Sequence, residues 1–272
     1  MRLLLHADAS RQWEPAGAIT ARIARATGSH VTVLTAERVK RKQQEVLRRA
    51  EQVLGLPKSQ LELRAEGGLV EHVVPKVAAE GRFDLLVLAP LGGLDWLTHG
   101  HILSLLVAHA ETNALLVRGS GAGFAKALVA TEGGPHGAAD VEAALALAAI
   151  FDMEVHLLHV LSQIAIYDYI KQQPDVAFLE SGHAVAEHLR ELRTVVAKAG
   201  RRGDAKVRVG PVQDEILHEV RDSGCDLLVI GAHRPEKEES LLTRDTSAWL
   251  LRHCPVSTLV VRDARWPPPG SR

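Results

Sequence analysis

The stretch Cys225–Val261, with the sequence CDLLVIGAHRPEKEESLLTRDTSAWLLRHCPVSTLVV, decides the fold of this chain. Its first apolar run, Asp226–Ile230, predicts a buried strand, after which a polar loop opens at Gly231. Helical spacing over about Ser247–His253 is followed by a second apolar run at Ser257–Val261. The stretch therefore predicts the order strand, polar loop, helix, strand.

The same order of elements occurs once before, in Phe83–Val117. Asp84 and Asp226, which head the matching strands, lie 142 residues apart, and so do Gly68 and Gly210 at the heads of the preceding helices. Small-repeat solenoids have periods of about 20–50 residues. The long, constant offset instead predicts two copies of one domain.

The second copy is longer than the first. Asp8 and Glu132 follow the two opening strands at a separation of only 124 residues, so the second copy carries 18 extra residues before Gly210. We assign them to residues 163–180, which have no counterpart in the first copy and hold both tyrosines of the protein. A lid over the second pocket and a surface for a partner are both open interpretations.

Strand and helix patterns alternate along both copies, as they do in parallel sheets with right-handed crossovers. We predict an α/β fold with two tandem doubly wound five-stranded parallel sheets and helices on both faces. The first domain spans residues 1–118 and the second 127–263. The Gly-rich linker at 119–126 is interpreted as a flexible joint, and the Pro-rich tail at 264–272 is expected to be loose.

Net charge and hydrophobicity limit the classes of function that the chain can have. The net charge of −1 offers no electrostatic case for nucleic-acid binding. Basic runs at 38–49 and 190–202 follow helical spacing, and we interpret them as solvated helix faces. No apolar run is long enough for a signal peptide or a membrane span, so we expect a cytoplasmic protein with no membrane partner. Cys225 and Cys254 make no metal spacing and are expected to be buried.

Ligands of open parallel sheets bind beyond the carboxyl ends of the strands, where the strand order reverses. In each domain this point lies between strands one and four. The first crevice would gather Asp8, Ala9, Ser10, Ala89, Gly92, Gly100 and His101. The second would gather Glu132, Gly133, Gly134, Gly231, Arg234, Arg244 and Asp245. Glycines and helix N-termini there favour a phosphate-bearing ligand.

These residues resemble the site of the universal stress protein family, and the whole chain resembles its tandem form. The family pattern is an aspartate after strand one and, after strand four, glycine, two residues, glycine, nine residues, then glycine with serine or threonine. The resemblance implies an adenine nucleotide alpha hydrolase-like fold, with ATP in nucleotide-binding members. It also implies pairing of two domains through their last strands, here Ala114–Val117 and Leu259–Val261, so that the chain forms an internal pseudo-dimer. Further association into a homodimer is left open.

Both copies depart from the family pattern. The first keeps Asp8, Gly92 and Gly100 but has Ala89, His101 and a loop two residues shorter. The second keeps the spacing but places arginine at two of the three glycine positions, as Arg234 and Arg244, and has Glu132 for aspartate. We expect these arginines to pair with Glu132 and Asp245, the latter at the start of the last helix; binding of an anion other than ATP is the alternative.

Three functions follow. The first is a non-enzymatic stress-response regulator or adaptor with degenerate pockets and an unknown protein partner. The second is an ATP or adenine-nucleotide binder that uses the first domain, with slow ATPase activity. The third is a structural dimerisation module. The chain has neither a G-x-S-x-G nor a P-loop motif. We interpret His99 and His101 as a loop histidine and a helix-start histidine, and we expect packing or a backbone bond for His156 and His159 on their apolar strand; neither pair is interpreted as metal ligands.

Overall fold

The computed structural model describes residues 1–90, 112–131, 136–161, 184–232 and 241–262, with the backbone alone at His136, Ala184 and 241–245. The strands of the first half are β1 (Arg2–His6), β2 (His30–Thr35), β3 (Leu61–Ala65), β4 (Leu85–Leu88) and β5 (Asn113–Leu116). Its helices are α1 (Glu14–Thr27), α2 (Lys40–Leu54) and α3 (Val70–Gly81).

The second half repeats the arrangement. Its strands are β6 (Lys126–Ala130), β7 (Glu154–Leu161), β8 (Ala205–Val209), β9 (Leu227–Gly231) and β10 (Ser257–Val261). Its described helices are α4 (His136–Phe151), α5 (Ala184–Lys198), α6 (Val212–Ser223) and α7 (Leu241–His253).

The two predicted five-stranded sheets are halves of one ten-stranded sheet in the order β3-β2-β1-β4-β5-β10-β9-β6-β7-β8. Every pairing within a half is parallel. The pairing between the halves is antiparallel, with Leu115 of β5 opposite Leu259 of β10. The α/β prediction is confirmed, and the last strands meet as the resemblance implied.

Helices cover both faces because side chains of the buried strands alternate between them. Leu3 and Leu5 of β1 join one core with α1, α2, α4 and α5. Leu4 joins a second core with α3, α6 and α7 on the opposite face. Both cores contain residues from both halves, so burial of apolar surface couples the two halves energetically.

Polar side chains from both halves form hydrogen bonds across the β5–β10 pairing, which is called the seam below. The backbone N–H of Arg262 donates to Asn113 Oδ1 at 2.8 Å, and the N–H of Arg118 donates to Ser257 Oγ at 2.9 Å. Asn113 and Ser257 each open a last strand, so each half supplies the acceptor for the other. The guanidinium of Arg118 also donates to the Leu251 carbonyl of the second half at 2.8 Å.

Replacing Ser257 by alanine should lower the free energy of unfolding by about 1–2 kcal/mol, because the side chain is buried and the Arg118 N–H would lose its acceptor. Urea unfolding measures this loss. The matched control is Ser120→Ala, which removes a hydroxyl from an exposed linker position and should change stability by less than about 0.5 kcal/mol. Equal losses in the two variants would contradict a structural role of Ser257 in the seam.

The repeated aspartates 142 residues apart fasten the first strand of each half to the fourth. A carboxylate oxygen of Asp84 accepts the backbone N–H of Arg2 at 2.7 Å. The Asp226 carboxylate accepts the N–H groups of Ala125 at 2.8 Å and Lys126 at 3.0 Å. The aspartate that leads the repeated DLLV sequence is therefore structural.

The Gly-rich linker differs from the predicted flexible joint, since it packs against α1. Gly121 has a φ of +74°, and a Cβ there would lie 2.6 Å from the Pro15 backbone. Arg22 donates to the Ala122 carbonyl at 2.7 Å, and its guanidinium lies 4.4 Å from the ring centre of Phe151. Glycine is required at position 121 because the linker backbone passes too close to α1 there for a side chain.

Most element boundaries agree with the sequence prediction to within a few residues, but the last helix begins at Leu241, six residues before the predicted Ser247. No glycine or proline separates these residues, so nothing interrupts helical hydrogen bonding between them. The insertion at 163–180 and the tail at 264–272 lie outside the described residues. Among the helices that are described, none combines the length and the apolar character needed to cross a membrane.

Candidate functional site

Strand order places a crevice in each half where the sequence predicted it. β1 lies between β2 and β4, and the register Leu5↔Val87 brings the loop after β1 beside Ala89. In the second half β6 lies between β7 and β9, and the register Ala130↔Ile230 brings Thr131 beside Gly231. Both crevices thus lie at the point where the strand order reverses.

In the first crevice the polar groups of the loop after β1 bond within the protein. The Asp8 carboxylate accepts the Ser10 N–H at 2.8 Å and the Ser10 hydroxyl. The Asp8 carbonyl accepts the indole N–H of Trp13 at 2.8 Å. The N–H of Ala9 donates to a carboxylate oxygen of Glu37, in the loop after β2, at 3.2 Å. These polar groups of the loop are therefore bonded to the protein itself.

Of the other residues predicted for the first crevice, the structure describes only Ala89. Ala89, which stands in place of the first family glycine, is 3% exposed, so its methyl group is part of the core at the end of β4. Gly92, Gly100 and His101 lie outside the described residues, as does His99. The structure brings Asp8, Ala9, Ser10 and Ala89 to one end of the sheet and leaves the other three predictions untested.

The second crevice shows the same internal bonding where it is described. The Ser247 hydroxyl of α7 donates to the Gly231 carbonyl at 3.3 Å. His159 lies with Nδ1 2.9 Å from the carbonyl oxygen of Thr131, a backbone bond of the kind predicted for it. Glu132, Gly133, Gly134 and Arg234 lie outside the described residues, and Arg244 and Asp245 are described by backbone alone.

The early start of α7 corrects the position expected for Asp245. The sequence predicts Asp245 at the start of the last helix, but it is the fifth residue of α7. The effect of the helix dipole falls off within the first turn. Asp245 therefore does not occupy the N-terminal position of the helix.

His6 is a buried titratable group that the sequence analysis missed. It is 4% exposed at the end of β1, two residues before Asp8. Burial lowers the pKa of His6 from 6.5 to about 4, and the Asp8 carboxylate opposes this shift only in part. His6 is neutral at physiological pH. A histidine that closes an otherwise apolar run, L-L-L-H, was the available signal.

The two cysteines have the surroundings of structural residues. Cys225 and Cys254 are both buried free thiols, as predicted, and burial raises the pKa of Cys225 to about 11. A protonated, buried thiol is a poor nucleophile. In the part of the chain that the structure describes, no three histidine, cysteine or acidic side chains come together as a possible metal site.

A parallel sheet of order 3-2-1-4-5, with a crevice beside the loop after its first strand, defines an α/β fold of the adenine nucleotide alpha hydrolase-like type. Two solved structures share this fold over nearly the whole chain. A universal stress protein from Archaeoglobus fulgidus DSM 4304 is 14% identical, with a TM-score of 0.68 and coverage of 96% of both chains. A putative universal stress protein from Pseudomonas aeruginosa UCBPP-PA14 is 17% identical, with a TM-score of 0.70 and coverage of 96% of this chain and 92% of its own.

The sequence comparisons give the family. The model described as "Universal stress protein family" matches residues 123–262, about half of the chain. Universal stress protein G from Shigella flexneri and that from Escherichia coli O157:H7 are each 32% identical over 113 residues, which cover 41% of this chain and 79% of each relative. The chain belongs to the universal stress protein family.

Proposed function

We propose that the chain is a tandem universal stress protein whose first half is a diverged copy of the same domain as its second half. The equal strand order of the two halves and the reciprocal contacts of Asn113 and Ser257 across the β5–β10 seam support this. The antiparallel β5–β10 pairing supports the internal pseudo-dimer that the family resemblance implies. The boundaries 1–118 and 127–263 belong to the same proposal.

We further propose that it acts as a non-enzymatic stress-response regulator or adaptor with degenerate nucleotide pockets. The observation that carries this is the internal bonding of the first crevice. The Asp8 carboxylate is bonded to Ser10, and the Ala9 N–H, which a phosphate or a hydroxyl could accept, is bonded to Glu37. A nucleotide would have to displace these contacts, and an unmatched displacement weakens binding.

The sequence at the ends of the fourth strands supports the same proposal. Ala89 stands where the family pattern has a glycine, and arginines 234 and 244 replace two more in the second half. A side chain in place of glycine restricts the approach of a phosphate to the backbone, so these substitutions disfavour a phosphate cradle. An adaptor acts through a protein partner, which the exposed surface of either half could bind.

The second candidate is an adenine-nucleotide-binding protein that uses the first half. The observation that favours it is the position of Asp8, which follows β1 at the point where the strand order reverses, as the family pattern has it. Gly92 and Gly100 are two further matches in the sequence. Slow ATP hydrolysis would accompany this function.

Titration calorimetry with ATP separates the two candidates. We expect no saturable ATP binding that depends on Asp8, so that wild type and Asp8→Ala behave alike or the variant binds more tightly. The matched variant is Ser10→Ala, which removes the hydroxyl bonded to Asp8 but keeps the carboxylate. One ATP per chain, lost in Asp8→Ala and retained in Ser10→Ala, would overturn the adaptor proposal.

A further inference from the structure

A second concave site lies on the opposite side of the Asp8 loop from β4. It is a cleft of about 290 Å³ between the start of α1 and one face of α2. Its lining residues are Asp8, Ala9, Arg11, Trp13, Lys42, Glu45, Val46, Arg48, Arg49 and Gln52. Apart from Asp8 and Ala9, it shares no described residue with the predicted nucleotide crevice, because α2 forms its outer wall.

The helical repeat puts these α2 side chains together. Lys42, Glu45, Val46 and Arg49 are spaced by three or four residues and therefore share one face. Val46 is 4% exposed and forms the apolar base, with the buried ring of Trp13 beside the Asp8 loop. The basic run that the sequence analysis interpreted as a solvated face thus also walls a cleft.

Four cations and two carboxylates line the cleft. Arg49 is neutralised by Glu14, to which its guanidinium donates at 2.9 and 3.2 Å. The side chains of Arg11, Lys42 and Arg48 form no hydrogen bond or ion pair with the described residues, and all three residues are exposed to solvent. These three cations outnumber the two lining carboxylates, Asp8 and Glu45, which favours an anionic ligand next to the apolar base.

Among the described residues, the matching helix of the second half has a different pattern of charges. α5, which follows the second strand of its half as α2 follows β2, carries the charged residues Glu187, Arg190, Glu191, Arg193 and Lys198. Acids and bases alternate along it, whereas α2 opens with three consecutive cations, Lys40, Arg41 and Lys42. Of the two helices, only α2 therefore begins with a run of cations.

We propose that this cleft binds a small molecule through a phosphate or diphosphate group. Arginine and lysine together supply the forked and the point-charge donors that phosphate oxygens accept. The volume lies near the lower end of the range for small-molecule sites and is too small for a folded partner. The apolar base of Val46 and Trp13 would contact the organic part of the ligand.

Inorganic pyrophosphate is the probe, added to the full chain in calorimetry at low ionic strength. We expect saturable binding of one pyrophosphate per chain. Lys42→Gln and Arg48→Gln should each weaken it roughly five- to tenfold, because each removes a charged donor. Arg41→Gln removes the same charge from the adjacent residue of α2, which does not line the cleft, and should change the affinity less than twofold.

Glu45→Gln and Asp8→Ala should tighten pyrophosphate binding, since each removes a carboxylate from the lining. The direction of the change in affinity distinguishes the cleft from a nucleotide site, because Asp8→Ala would abolish binding at a nucleotide site. Absence of saturable binding would overturn the proposal. An equal loss of affinity in Arg41→Gln and Lys42→Gln would also overturn it, because it would indicate diffuse electrostatic attraction. Citrate binding as tight as pyrophosphate binding would overturn it as well, because the cleft would then have no preference for phosphate.

Discussion

Gly203→Ala is expected to lower the free energy of unfolding by about 4 kcal/mol. Gly203 lies between α5 and β8, where the chain already pairs with β7. The N–H of Val155 donates to the Arg202 carbonyl and that of Leu157 to the Asp204 carbonyl, both at 2.8 Å. A Cβ at Gly203 would lie 1.7 Å from the Val155 carbonyl oxygen, so the backbone of β7 or of this segment has to move.

Gly200→Ala is the matched control for Gly203→Ala. Gly200 lies three residues earlier, with a φ of +70° and no atom within 4 Å of an added Cβ. Alanine there meets backbone strain alone and should cost about 1 kcal/mol. Urea unfolding of the two variants gives both numbers. A Gly203→Ala protein as stable as Gly200→Ala would contradict the close approach of this segment to β7.

The second large effect is a loss of stability on acidification that is due to His6. Burial lowers its pKa in the folded protein to about 4, against 6.5 in the unfolded chain. Between these values the unfolded chain binds the extra proton, so stability rises with pH in this window. The contribution is complete above pH 6.5, is lost as the pH falls to about 4, and amounts to about 3 kcal/mol.

Urea unfolding at several pH values between 7.5 and 4 measures this dependence. His6→Gln should flatten the decline by about 3 kcal/mol relative to wild type, whatever its absolute stability, because the comparison is between slopes. His30→Gln, at the exposed first residue of β2, serves as the control for loss of an imidazole. If His6→Gln and wild type decline in parallel, His6 does not enter the fold as a neutral group.

Much of the fold could be predicted because local patterns and tertiary contacts agree. The apolar strands β4, β5, β9 and β10 are buried on both faces, so continuous apolar runs mark them plainly. The constant offset of Asp84 and Asp226 revealed the repeat, and the structure supplies the reason, since both carboxylates hold the backbone of a neighbouring strand.

The features that the sequence did not predict depend on tertiary contacts between residues that are far apart in the chain. The linker glycines looked flexible in the sequence, but Pro15 and Arg22 of α1 pack against them. Most charged residues of α2 are exposed to solvent, as the sequence predicts, but several of them also form the wall of a cleft because the loop after β1 lies opposite them. Neither contact follows from the spacing of residues along one segment, because the partners are far apart in sequence.

The most direct test of the account is to release any small molecule from freshly purified protein by denaturation and to identify it by mass spectrometry. We expect no adenine nucleotide, because polar groups of the first crevice are bonded within the protein through Asp8, Ser10 and Glu37. A phosphorylated compound without adenine would agree with binding in the cleft beside α2. Recovery of about one ATP per chain, absent from Asp8→Ala protein, would contradict the proposed loss of nucleotide binding.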